Sequence, residues 1–210
     1  MKILVLGARG KTGRLVVDKA LAAGHTVVAL VRQHEGEEKD PLPDCVEVVH
    51  GDAKDSGQLR TAMAGVEGVI DVIGGTKPFL TTDLETTTAR AVLEVMPEVG
   101  ARRLIAVSAL GVGESKDNTS FLYEHIFMPL FLRGIIEDKG NMESEVKKSS
   151  LEWVIVRPPI LNDDEATGHV RVVTAGEEVH KITRADLAQF LVDRLEGEEY
   201  LGEAITIANS

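Results

Sequence analysis

The chain has 210 residues, 43% hydrophobic and 27% charged, the balance of a single ordinary globular domain over 1–210 and not of a disordered segment. Lys and Arg total 23 against 34 Asp and Glu, a net charge of −11; such a surface repels phosphate backbones and anionic lipid, so neither nucleic acid nor a membrane is an expected partner. One cysteine allows no intrachain disulfide, no stretch is apolar enough to span a bilayer, and the run from Ile3 to Leu6 is too short for an export signal, so a cytoplasmic setting is expected.

Ile3 to Leu6 is a continuous apolar run stopped by Gly7, the pattern of a strand buried on both faces. A helical pattern follows over 12–23, with Leu15, Val16, Ala20 and Leu21 on one face and Gly24 as its stop. Thr26–Val31 reads as a second strand and the polar run 34–44, with two prolines, as a surface loop. Further strands are expected at Val46–Val49, Val69–Ile73, Leu104–Val107, Trp153–Val156 and Ala204–Ile207, with a short extra one at Val170–Val173. Helices are expected over 58–64 and 84–99, in a broken stretch over 120–148, and from a Thr183 cap to about Leu195. Strands alternating with helices predict an α/β fold. It is a Rossmann-like, doubly wound parallel sheet with helices on both faces and a small C-terminal elaboration on the substrate side. Ligands of such folds bind at the carboxyl ends of the strands.

The first strand runs into Gly7-Ala8-Arg9-Gly10-Lys11-Thr12-Gly13, which opens the first helix. Gly7 can make the tight turn, Gly10 lets a pyrophosphate approach the backbone, and Gly13 lets the helix pack against the sheet. The helix N-terminus adds free N–H groups and a positive dipole end. A plain strand–turn–helix would also use glycines for geometry, but three of them at this junction favour a dinucleotide site. Lys11 and Thr12 follow Gly10, yet the spacing to Gly7 is too short for a nucleoside-triphosphate loop.

Together with Val31-Arg32, Gly51-Asp52, Val156-Arg157-Pro158-Pro159 and the closing Ile182–Ala188 segment, this loop resembles the atypical short-chain dehydrogenases/reductases. Within them it is similar to the NmrA-like branch and the flavin/biliverdin-IX-beta reductases. The resemblance spans essentially the whole chain. It implies NAD(P) held by the glycine loop, by Asp52 and Ala53 at the adenine, by Gly74 and Gly75 at the ribose, and by Ser108, Pro158, Pro159 and Ile160 further along. Asp52 serves equally well as a turn residue after Gly51.

The second strand ends Val31-Arg32-Gln33 without the carboxylate that binds the ribose hydroxyls of NAD and repels a 2′-phosphate. Arg32, flanked by Arg9, can pair with that phosphate, so NADP(H) is expected over NAD(H); the alternative is two solvated arginines.

Ser108 ends the fifth strand, where short-chain reductases carry a catalytic serine, or it simply closes a buried strand end. The family's Tyr-x-x-x-Lys pair, in which lysine lowers a phenol pKa for proton delivery, is absent: Phe127 stands four residues after Tyr123. Lys139 is the best match for the family lysine, placed to hydrogen-bond the nicotinamide ribose, or else a solvated helix residue. Ile160 stands where some relatives have a histidine after Pro-Pro.

The expected partner is therefore a small planar hydride acceptor, a flavin or quinone, whose reduced form solvent can protonate. Phe121–Leu132 is the most apolar, aromatic-rich stretch of a chain with 4% aromatics, a cover for such a substrate or else a core helix or subunit interface. His125 within it is a weak candidate acid. Asp163-Asp164-Glu165 reads as a solvated charge run, and no metal-ligand spacing is visible. The alternative functions are a non-catalytic NADP(H) sensor acting through a protein partner, and an epimerase-like enzyme, against which the missing Tyr-x-x-x-Lys argues.

Overall fold

The computed structural model describes residues 1–33, 41–74, 83–119 and 133–210. The buried apolar runs become strands because a parallel sheet covered on both faces has no solvated side to accommodate polar residues. They are β1 (Lys2–Leu6), β2 (Thr26–Val31), β3 (Glu47–His50), β4 (Gly68–Asp71), β5 (Arg103–Val107) and β6 (Glu152–Arg157). Four later strands follow: β7 (Ile160–Asn162), β8 (Val170–Val172), β9 (Lys181–Thr183) and β10 (Glu203–Asn209). The helices are α1 (Lys11–Ala22), α2 (Ser56–Ala62), α3 (Leu84–Val99), α4 (Arg133–Lys148) and α5 (Arg184–Asp193), with a 3-10 segment at Gly113–Asn118.

Eight strands form one sheet in the order β3-β2-β1-β4-β5-β6-β10-β8. All neighbours are parallel except β8, which pairs antiparallel with β10. The chain winds from β1 outward to β3, then returns to β4 on the other side of β1. Leu6 is in register with both Leu30 and Asp71, so three strand ends open a crevice at this switch point. This is the expected Rossmann-like α/β fold.

Each sheet face has its own core. Val16, Val17 and Ala20 of α1 and Leu187 and Leu191 of α5 cover one face. Leu59 of α2, Val92 and Met96 of α3, and Met142 and Val146 of α4 cover the other. The i, i+3 and i, i+4 spacings on α1, α3, α4 and α5 place these residues in single apolar stripes.

Two features depart from the sequence expectation, and one expected element is described only in part. β4 ends at Asp71, two residues early, because the Asp71 carboxylate accepts the Ile73 N–H at 2.9 Å and turns the chain out of the sheet. β7 and β9 form a separate two-stranded parallel sheet beside the strand ends; three residues each are too few to show a period. The expected broken helix is described only from 133, so the aromatic-rich stretch Phe121–Leu132, with Tyr123 and His125, lies outside the described residues, as does Gly75.

Candidate functional site

The glycine loop is shaped by backbone contacts. Gly7 has φ +81°, a left-handed conformation that side chains resist, and its carbonyl accepts the Gly10 N–H at 2.9 Å. A Cβ on Gly13 would stand 2.0 Å from the Gly7 oxygen, so α1 can seat against the strand end only with glycine there. Gly10 caps α1 in extended geometry without any side-chain hydrogen bond, which leaves the first-turn N–H groups of the helix facing outward.

These groups line a cleft of about 650 Å³ at the carboxyl ends of the strands. The structure brings together Gly7, Arg9, Gly10, Lys11, Thr12, Gly13, Arg32, Asp52, Ala53, Gly74, Ser108, Lys139, Pro158 and Pro159 around it. The exception is Ile160. It is 60% exposed, pairs with Lys181 in the β7–β9 sheet, and does not line the cleft, because the backbone turns outward after Pro159.

Arg32 is exposed at the cleft edge and forms no ion pair among the described residues. Asp52 does act as a turn residue: its carboxylate accepts the Lys54 N–H at 3.0 Å and its own N–H donates to Gln58 Oε1 at 2.6 Å. It nevertheless borders the cleft beside Ala53.

At the far end of the cleft, Lys139 is not the solvated lysine that its sequence also allowed. It is 7% exposed, its Nζ donates to the Val107 carbonyl at 3.0 Å, and it lies 3.2 Å from Glu85 Oε2. Glu85 is itself buried. The preceding residue, Asp138, fixes this pairing: its carboxylate accepts the Glu85 and Thr86 N–H groups at 3.0 and 2.9 Å, capping α3 from α4. Asp71 closes the cluster behind. Burial pushes its carboxyl up to about 6, against the Ile73 hydrogen bond, with Glu85 raising it further and Lys139 lowering it.

Ser108 is 2% exposed and lines the cleft; its Oγ has no hydrogen bond of full geometry to another described residue. Its N–H is held by the Val156 carbonyl at 2.8 Å, and Leu110 N–H by the Pro158 carbonyl at 2.9 Å, so the end of β5 and the Pro158-Pro159 corner form one wall. Below it Arg157, 2% exposed, grips Glu143 with two bonds, Nε–Oε1 at 2.8 Å and Nη2–Oε2 at 2.6 Å. Burial pushes the Glu143 carboxyl up, but hydrogen bonds from Arg157 and Ser108, and the Arg157 and Lys147 charges, hold it below the usual carboxylate range.

Sequence reasoning missed four residues here. Asp71, Glu85 and Glu143 are acidic residues on strand or helix positions that look like surface, and only the meeting of β4, α3 and α4 buries them. Asp163 is the fourth. It is no idle member of a charge run, for it binds Lys11 Nζ at 2.7 Å and Arg184 Nη1 at 2.6 Å.

A doubly wound sheet whose switch-point cleft begins at a glycine loop and an open helix N-terminus defines a Rossmann-type dinucleotide-binding protein. The chain belongs to the NAD(P)H-binding family, whose model matches residues 7–198, as its resemblance to atypical short-chain dehydrogenases/reductases implied. It is 27% identical to the UPF0659 protein YMR090W of Saccharomyces cerevisiae, over 93% of this chain and 87% of that one. A Bacillus halodurans protein provisionally named an NAD-dependent epimerase/dehydratase superposes with a TM-score of 0.82 and 26% identity, covering 100% of this chain and 94% of the other. ChuY from Escherichia coli O157:H7, an anaerobilin reductase, shares the fold with a TM-score of 0.79 and 24% identity over 100% and 97% of the two chains. Among the described residues no helix is long and apolar enough to cross a membrane.

Proposed function

We propose that the protein is an NADPH-dependent reductase that passes hydride to a flavin, quinone or similar conjugated acceptor. The observation that carries this is the single cleft in which the glycine loop, Arg32, Ser108 and Lys139 all meet. In this reading the uncapped N–H groups of α1 hold the pyrophosphate, and Arg32 holds the 2′-phosphate. Asp52 and Ala53 border the adenine. The buried Ser108 hydroxyl, at the cleft wall, offers a hydrogen bond to the nicotinamide amide or the acceptor carbonyl. When bound, NADPH supplies the hydride.

Lys139 has one N–H on Val107 and its charge on Glu85, which holds the ammonium at the cleft wall. Its role is to hold the nicotinamide ribose. The Pro158-Pro159 wall excludes water from the reacting face, and solvent at the open edge protonates the reduced acceptor.

The test is loss of NADPH absorbance on addition of a panel of free flavins and quinones, with NADH in parallel. Turnover with at least one acceptor supports the reading. Tight NADPH binding without turnover on any of them would favour a redox sensor acting through a protein partner.

A further inference from the structure

The residues that open α1 and α5 are both basic, Lys11 and Arg184, in a protein of net charge −11. A helix N-terminus favours acidic side chains, so a cation there works against the helix dipole. α1 has no acidic residue in its first turn. The one in α5, Asp186, is turned inward, where its carboxylate accepts bonds from Thr167, Gly168, Thr183 and Asn209. Both helices lie on the same sheet face, so their positive ends and their two cations stand at one side of the cleft, which Lys11 and Arg184 line.

Asp163 bridges them. Asn162 of β7 is in register with Thr183 of β9, so Asp163 and Arg184 are the next residues on paired strands and are placed side by side by the backbone. Lys11 reaches the same carboxylate from the glycine loop at 2.7 Å. One carboxylate between two cations leaves a positive charge beside the outward N–H groups of α1. The side chains of Lys11 and Asp163 are 72% and 58% exposed, so the bridge adds little to folding. The pair lines the same cleft as the glycine loop, Arg32 and Ser108, so its charge faces the space a dinucleotide would fill.

We propose that Arg184 and Lys11, bridged by Asp163, form a cation pair that grips the dinucleotide's pyrophosphate from across the glycine loop; this rests on the dinucleotide reading of the cleft. Arg184 is then a cofactor-binding residue, and Asp163 its positioning residue. Unlike Arg32, the pair acts on a part common to NADPH, NADH and ADP-ribose.

The test is calorimetric titration of those three ligands into wild type, Arg184→Gln and Arg32→Ala, at two salt concentrations. Loss of one charge-assisted contact should weaken all three ligands in Arg184→Gln by a similar factor, roughly ten-fold, and flatten the salt dependence. Arg184→Lys should recover part of the loss, and the melting temperature should stay near wild type because the contact is exposed. Arg32→Ala should weaken NADPH alone. Unchanged affinities in Arg184→Gln overturn the proposal. So does a loss for NADPH and NADH that spares ADP-ribose, which would put Arg184 at the nicotinamide or acceptor end. If wild type binds none of the three, the cleft reading itself fails and the pair with it.

Discussion

Gly13→Ala is the sharpest test of how the phosphate loop is built. The added methyl carbon would stand 2.0 Å from the Gly7 oxygen, 2.7 Å from its carbonyl carbon and 2.8 Å from the Ala8 Cα. All three are backbone atoms, so no rotamer change relieves the overlap. Ordinary contact begins near 3.4 Å, so the start of α1 must back away by about 1.4 Å. Overpacking of this kind costs about 3 kcal/mol, the upper end of its usual range, because both the strand end and the helix are held by the core. For a domain of this size that lowers Tm by about 6–12 °C. The N–H groups of the first turn move with the helix, so NADPH and NADH affinities should fall together. The controls are Gly10 and Gly74. A Cβ on Gly10 meets only the Gly7 oxygen at 3.2 Å, so Gly10→Val should fold and lose the cofactor through its side chain's intrusion on the cleft. A Cβ on Gly74 meets nothing within 4 Å, so Gly74→Ala should hold or slightly raise Tm. The assay is thermal melting with dinucleotide titration on each folded variant. A Gly13→Ala protein that melts within one or two degrees of wild type would refute the seating of α1 on Gly7.

Three further outcomes follow from the site. Arg32→Ala should weaken NADPH by about ten- to a hundred-fold and leave NADH nearly untouched, since only the former has a 2′-phosphate to lose; equal losses in titration would remove Arg32 from that role. Lys139→Met removes the ammonium beside the buried Glu85 carboxylate and should cost about 3–5 kcal/mol in urea unfolding; adding Glu85→Gln should restore most of it. In the double variant, an effect mainly on cofactor affinity supports ribose holding, whereas turnover lost by orders of magnitude with binding intact would mean acid–base work by Lys139. The Asp71 carboxyl is raised from 3.8 to about 6 by burial, so the fold binds its proton more tightly than the unfolded chain does. Its stability contribution is complete below about pH 4 and is lost as pH rises through 6. Asp71→Asn should therefore stabilise the protein above pH 6, by up to about 3 kcal/mol, and have little effect at pH 4. A stability gain that is equal at both pH values would contradict the buried-carboxylate account.

The strands and the phosphate loop were legible in the sequence because their signals are local. Ile3–Leu6 is apolar at consecutive positions only because both sheet faces are covered, and Gly7, Gly10 and Gly13 are spaced by the geometry of one turn. Arg32 and Ser108 could be named as candidates because each directly follows a strand, and strand ends meet the cleft in this fold. The parallel sheet covered on both faces also follows from the alternation of strands and helices, whereas the strand order is set by the tertiary structure. What the sequence left open is decided by contacts between segments far apart in the chain. Lys139 has the same identity whether solvated or buried; only the packing of α4 against α3, through the Asp138 cap on Glu85, makes it a paired lysine at the cleft. Asp163 lies 152 residues from Lys11, within a run of three acids, and becomes a bridge only because the β7–β9 pairing sets it beside Arg184. Ile160 was misplaced for the converse reason: the residue after Pro158-Pro159 faces the cleft or solvent according to which strand it joins, and β9, 21 residues further along, turns it out. Local chemistry thus determines elements and loops, whereas the charge state and orientation of the side chains at the site depend on burial and pairing, which exist only once the tertiary structure has formed.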